Sequence, residues 1–128
     1  MGNGTSIGRV RGLGSAHHGA HHWLVQRFTA IGNLVLMLFL LIGLALLPDY
    51  EFATVSKWVS QPLVATALAL LIISVFWHAR LGLQVLIEDY VVSSGNKFAA
   101  IAVLNLATIG GGGFALFSIV RLALGGTV

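Results

Sequence analysis

Three long apolar stretches dominate the sequence, at about 28–47, 62–87 and 98–124. An α-helix needs about 20 mostly apolar residues to cross about 30 Å of hydrocarbon. Each stretch is long enough, and lipid offers backbone N–H and C=O groups no partner outside the helix itself. The sequence therefore predicts an all-α fold, in which residues 28–128 form an integral membrane bundle of three transmembrane helices after a polar N-terminal segment, 1–27.

The composition agrees with a membrane protein. Hydrophobic residues make up 57% of the chain and charged residues only 9%, whereas soluble domains carry about 25% charged residues. The chain has no cysteine, which excludes disulfides, iron–sulfur ligation and thiolate nucleophiles. The basic residues are scattered near the predicted helix ends and form no basic face. We therefore expect contact with membrane lipid and no nucleic-acid partner.

The basic residues also predict an orientation. Arg9, Arg11 and Arg27 precede the first span, whereas the connection 48–61 holds only Lys57. Since Lys and Arg favour the cytoplasmic side, we expect a cytoplasmic N-terminus. Residues 1–20 contain no apolar h-region, so no cleavable secretory signal is expected. The missing transit peptide favours the inner (cytoplasmic) membrane of a bacterium.

The second predicted span is the least uniform. It carries four polar side chains at membrane depth: Ser74, His78, Arg80 and Gln84. An ionisable group there costs roughly 2.5 kcal/mol or more, so these residues should face a partner, a cofactor or a cavity. At about 100° per residue, one stripe of this helix carries His78, Gly82, Val85 and Asp89. Gly82 leaves space beside the imidazole, which suits a planar cofactor; an interhelical hydrogen bond is the alternative interpretation of His78.

Other polar features have simpler interpretations. Four histidines cluster before the first span: His17, His18, His21 and His22. Their i, i+4 pairs are typical of metal sites, but no carboxylate or Cys completes a site, so a solvated cluster at the membrane surface is favoured. Arg80 is expected to reach the interface or pair with a partner's carboxylate. The glycine run 110–113 predicts close helix packing.

Two segments resemble a known family. The segment 78–91, HARLGLQVLIEDYV, resembles the second membrane helix of the succinate dehydrogenase hydrophobic anchor family, in which a His, a Gly and a closing Asp-Tyr pair recur at this spacing. The segment 21–31, HHWLVQRFTAI, resembles the start of that family's first helix, with its His and R-x-T-A-I pattern. The likeness extends to the three-helix layout and points to the smaller, D-type anchor chain of respiratory complex II.

The resemblance implies roles for particular residues. His78 would be one axial ligand of haem b, and therefore a metal ligand, with the other ligand on the larger anchor chain. Arg27 and His21 would lie near the haem propionates. Tyr90 would donate a hydrogen bond to ubiquinone, and Asp89 would orient an arginine of the partner anchor beside it.

The resemblance also implies a function. The chain would be a non-catalytic anchor subunit of succinate:quinone oxidoreductase that helps to bind haem b and ubiquinone and to pass electrons from succinate oxidation to quinone. Its expected partners are a larger cytochrome b-type anchor subunit, an iron–sulfur subunit and a flavoprotein subunit. Two alternatives are a structural small subunit of another respiratory complex and the anchor of a fumarate reductase.

Overall fold

A computed structural model describes residues 19–125, and the regular structure within this range is helical throughout. The helices are α1 (Gly19–Ala45), α2 (Phe52–Val59), α3 (Pro62–Tyr90) and α4 (Ser94–Ala123). Helices α1, α3 and α4 are long and apolar enough to cross a membrane, with mean hydropathies of 2.3, 2.0 and 1.8 in their spanning windows. The predicted all-α fold with three transmembrane helices is confirmed.

The long helices extend beyond their apolar stretches. Helix α1 is already helical at Gly19, α3 continues to Tyr90, and α4 begins at Ser94. Polar residues at these ends lower the hydropathy without interrupting the helix, so an apolar pattern underestimates helix length. The Lys97 ammonium donates a hydrogen bond to the Glu88 carbonyl oxygen at 2.8 Å, which closes the short connection between α3 and α4.

Helix α2 lies inside the predicted connection 48–61 and was not predicted. The Asp49 carboxylate accepts the backbone N–H of Glu51 at 3.1 Å just before the helix starts. Val59 is buried, and the Trp58 ring packs so closely on α1 that a Cβ at Gly43 would lie 3.0 Å from it. Eight residues are too short for a clear periodic signal, because the mean helix is about 11–12 residues long.

Helix α3 is the centre of the bundle. It packs against α1 on one side and against α4 on another, whereas α1 and α4 make little direct contact along their described lengths. The α4 contact runs through Phe76, whose ring would lie 3.0 Å and 3.3 Å from a Cβ at Gly111 and Gly112. Gly111 and Gly112 thus pack closely against α3, whereas a Cβ at Gly110 or Gly113 would meet no atom within 4 Å. Grooves remain open on two sides of α3.

The interior of this bundle is small. The buried residues of the described chain are all apolar: Leu40, Val59, Val64, Ala67 and Leu81. Large apolar side chains such as Ile109 and Phe114, each 73% exposed, cover the outside. A soluble protein rarely exposes such a continuous apolar surface, so this outer surface is suited to lipid or to other membrane helices.

Candidate functional site

The His78 imidazole lies in the seam between α1 and α3, where Thr29 holds one of its nitrogens. His78 Nδ1 is 3.0 Å from the Thr29 hydroxyl oxygen. That hydroxyl donates to the carbonyl oxygens of Val25 and Gln26, at 2.9 Å and 3.1 Å. When the hydroxyl proton points at these carbonyls, the Thr29 oxygen can accept a hydrogen bond from His78 Nδ1–H. This arrangement is compatible with the tautomer that carries the proton on Nδ1 and the lone pair on Nε2.

Gln26 lies in front of that lone pair. Its amide nitrogen is 3.5 Å from His78 Nε2, which is beyond the usual range of an N–H donor bond. The Gln26 amide oxygen is buried without a hydrogen-bond partner, a situation that costs about 1–3 kcal/mol. A Cβ at Gly82 would lie 3.5 Å from the same amide nitrogen. The Gln26 amide is therefore a weakly held cover over Nε2.

A groove of about 490 Å³ opens beside this cover. Its apolar wall is formed by Ala30, Val85 and Leu86. Its polar part is formed by His22, Gln26, Arg27 and His78. Gly82 also lines it, so three of the four residues of the predicted stripe share one groove. We name it the His78 groove.

The basic residues near the start of α1 lie in two different hollows. Arg27 lines the His78 groove, and its guanidinium stacks over the Trp23 ring at 5.3 Å from the ring centre. His21 does not line this groove; it lies in a separate hollow of about 270 Å³ together with Arg80. His22, adjacent in sequence, lines both. The structure thus brings Arg27 and His22 to the His78 groove and places His21 beside it.

The two residues expected at a quinone lie at the far end of α3. Asp89 and Tyr90 are both exposed, Tyr90 by 79%. Tyr90 follows His78 by 12 residues, which corresponds to about 18 Å along the helix. Neither lines the His78 groove, so the Asp89–Tyr90 pair and the histidine are two separate positions on one helix.

The His78 groove brings together residues that could hold a haem. An imidazole nitrogen can ligate iron, and an acceptor beside its other nitrogen, as Thr29 is beside Nδ1, is the usual support of a ligating His. The apolar walls suit a porphyrin face, and Arg27 supplies charge for propionates. Within residues 19–125, no three or more His, Cys, Asp or Glu side chains lie close enough together to hold a metal ion. His17 and His18 lie outside the described residues, as do Arg9 and Arg11.

Sequence reasoning alone did not identify Gln26, Thr29 or His22 as site residues. Thr29 belongs to the R-x-T-A-I segment, which carried the family resemblance but no chemical role. The contact between Thr29 and His78 joins positions 49 residues apart, so it depends on how far α1 is shifted along α3. Only the three-dimensional packing gives that alignment.

The fold and the site together define a three-span membrane subunit with a histidine held at membrane depth. Residues 1–112 match the family described as "Succinate dehydrogenase/Fumarate reductase transmembrane subunit", and the chain belongs to this family. The resemblance noted in the sequence is confirmed.

Curated relatives agree with this assignment. The "Succinate dehydrogenase hydrophobic membrane anchor subunit" of Rickettsia bellii is 35% identical over 106 residues, covering 82% of this chain and 84% of the relative. The protein of the same name from Rickettsia conorii is 31% identical over 68% of this chain and 70% of the relative. The "Succinate dehydrogenase membrane anchor subunit" of Reclinomonas americana is 31% identical over 71% and 78%. No solved structure matches the chain significantly.

Proposed function

We propose that this chain is the small membrane anchor subunit of a bacterial succinate dehydrogenase, and that it helps to bind haem b and ubiquinone. In this role it passes electrons from succinate oxidation to quinone. The soluble flavoprotein and iron–sulfur subunits carry out the oxidation, and a larger cytochrome b-type anchor chain completes the membrane part. The names of the relatives and the three-span fold support the anchor role.

The observation that carries the haem assignment is the hydrogen bond between His78 Nδ1 and Thr29 at 3.0 Å. The bond is compatible with the tautomer in which Nε2 would be free to ligate iron. The Gln26 amide, whose nitrogen lies 3.5 Å from Nε2, would have to move aside for such a ligand. Haem b, when bound, would supply one-electron transfer.

The neighbouring residues prepare the same pocket. Gly82 keeps the space beside the imidazole clear, because any side chain there would point toward the Gln26 amide. Arg27 lines the edge of the groove on the Tyr90 side, where it can neutralise propionate charge through charge-assisted hydrogen bonds. The cation–π contact with Trp23 holds the guanidinium at this edge.

At the end of α3, Tyr90 and Asp89 are proposed to serve the quinone. The Tyr90 side chain is 79% exposed and so accessible to a molecule bound between this chain and a partner. Its phenol donates one hydrogen bond, which suits a quinone carbonyl oxygen. The Asp89 carboxylate is exposed one residue earlier and is available to orient a partner's arginine.

A purely structural role for His78 is the competing hypothesis, and the same hydrogen bonds favour it. Thr29, Ser74 and His78 tie α1 to α3, since Ser74 Oγ also donates to the Thr29 carbonyl oxygen at 3.3 Å. Such bonds stabilise membrane helix pairs by about 0.6 kcal/mol on average. In that case the histidine would strengthen the helix seam and bind no iron.

A reduced-minus-oxidised absorption spectrum of the purified complex decides between the two roles. We expect a b-type haem signal in the wild type that His78→Ala abolishes. Ser74→Ala is the matched control, because it removes a hydrogen bond from the same seam and leaves the imidazole in place; its spectrum should be unchanged. A wild-type complex without haem, or an equal loss in both variants, would establish the structural role instead.

A further inference from the structure

Arg80 lies deep in the membrane-spanning part of α3 and has a neutral hydrogen-bond partner. Its Nε donates to the Asn105 side-chain oxygen at 2.6 Å, and its guanidinium lies 5.8 Å from the Trp77 ring centre. Arg80 precedes Tyr90 by ten residues, about 15 Å along the helix. Asn105 follows Ser94 by 11 residues, about 17 Å into α4. The bond to Asn105 therefore holds the Arg80 Nε at this depth.

No acidic residue of this chain lies at that level. The four acidic residues of the full sequence are at positions 49, 51, 88 and 89. Glu88 and Asp89 are eight and nine residues beyond Arg80, about 12–14 Å along α3. Asp49 and Glu51 precede α2 at the opposite end. Charged side chains inside membranes almost always pair with an opposite charge or with backbone carbonyls, and an opposite charge for Arg80 would have to come from another molecule.

The surface around Arg80 can receive a helix. A groove of about 580 Å³ runs between α3 and α4, lined by Arg80 and Asn105 at one end and by apolar residues such as Ile73 and Ile109 along its length. A Cβ at Gly113, on the α4 wall, would meet no atom within 4 Å. We name this surface the Arg80 groove. The small Gly113 lets a neighbouring backbone approach closely.

The Arg80 groove is separate from the His78 groove. At about 100° per residue, Arg80 is rotated about 200° from His78, nearly to the opposite side of α3. The two grooves share no lining residue. The hollow that contains His21 and Arg80 lies between them, since His22 lines both this hollow and the His78 groove.

We propose that the Arg80 groove docks a transmembrane helix of another subunit, and that this helix carries an Asp or Glu opposite Arg80. A phospholipid is a poorer occupant, because its phosphate lies at the membrane surface and not at the depth of Asn105. A second copy of this chain is excluded by charge, since all four of its acidic residues lie at helix ends. The proposal stands on Arg80 and Asn105 alone and does not depend on haem or quinone binding.

Site-specific photocrosslinking in native membranes tests this assignment. p-Benzoylphenylalanine replaces Ile73, which is 53% exposed in the Arg80 groove, and the crosslinked peptide is identified by mass spectrometry. We expect an adduct with an apolar segment of another subunit that contains an acidic residue. Arg80→Leu should reduce the yield several-fold, whereas Arg80→Lys, which keeps the charge, should retain most of it.

The same probe at Leu34, which is 61% exposed on α1, is the matched control. Its adducts should be unaffected by Arg80→Leu, which also shows that the variant still folds in the membrane. Adducts from Ile73 with lipid only, with a second copy of this chain, or with a helix that has no acidic residue would overturn the proposal. An Ile73 yield that is unchanged in a normally folded Arg80→Leu variant would overturn it as well.

Discussion

His78 and Arg80 lie on two open sides of α3, only two positions apart in sequence. Their hydrogen-bonding groups have different kinds of partner. His78 has a hydrogen-bond partner from α1 at one ring nitrogen, Thr29 at Nδ1, while the Gln26 amide nitrogen lies 3.5 Å from Nε2, beyond the usual hydrogen-bond range. Arg80 bonds to Asn105 on α4, which is neutral and leaves the guanidinium charge uncompensated within the chain. The imidazole thus has a partner within its own chain, whereas the proposal for Arg80 takes its anion from another subunit.

This difference between His78 and Arg80 indicates that the two grooves have different roles. The His78 groove contains an imidazole, the Gln26 amide in front of it and the Arg27 guanidinium, a set that suits the proposed haem site. The Arg80 groove contains one fixed charge and a long apolar floor, which together define a helix-docking surface. Substitutions in the His78 groove are therefore expected to leave helix docking intact, and substitutions in the Arg80 groove to leave haem binding intact.

Filling each groove in turn gives the largest expected effect. Gly82→Leu places a side chain against the Gln26 amide, beside the imidazole, and should remove most of the haem signal while the Ile73 crosslink persists. Gly113→Leu fills open space in the Arg80 groove and should do the reverse. Both outcomes are measured on the purified complex, as haem content by difference spectroscopy and as crosslink yield by mass spectrometry.

Each glycine variant is the control for the other, since both add the same side chain to a membrane helix. If Gly113→Leu also removed the haem, the two grooves would be coupled and not independent. If Gly82→Leu retained haem in full, the pocket would not lie beside His78.

A smaller effect is expected when the support of the imidazole is removed. Thr29→Val deletes the acceptor of His78 Nδ1–H, and a buried N–H left unpaired costs about 1–3 kcal/mol. Because an acceptor on Nδ1–H raises the basicity of the ligand, its loss should make the midpoint potential of the haem more positive. Redox titration of the complex measures this shift.

Thr29→Ser is the matched control for that prediction, since it retains the hydroxyl and removes only a methyl group. Its potential should remain close to that of the wild type. Equal shifts in the Val and Ser variants would mean that packing of the Thr29 methyl group, and not the hydrogen bond, positions the ring.

Much of this could be predicted from local sequence, and the rest depends on helix alignment. Hydropathy predicted the three spans, and helical periodicity predicted that His78, Gly82 and Val85 share a face, because both properties belong to single segments. The pairing of His78 with Thr29, and of Arg80 with Asn105, joins different helices and depends on how far one is shifted along the other. Helix α2 was not predicted because eight residues are too few to show a clear helical periodicity of apolar side chains.

The two adjacent histidines of α1 provide the finest test of the His78 groove. The family resemblance pointed to His21 beside the haem, whereas the structure places His22 in the groove and His21 in the hollow with Arg80. Neighbouring residues differ by about 100° around a helix, so their effects should separate. His22→Ala should shift the haem midpoint potential modestly, and His21→Ala by less. A larger shift with His21→Ala would mean that α1 is rotated by one residue in the assembled complex, with His21 at the propionate edge as the resemblance implies.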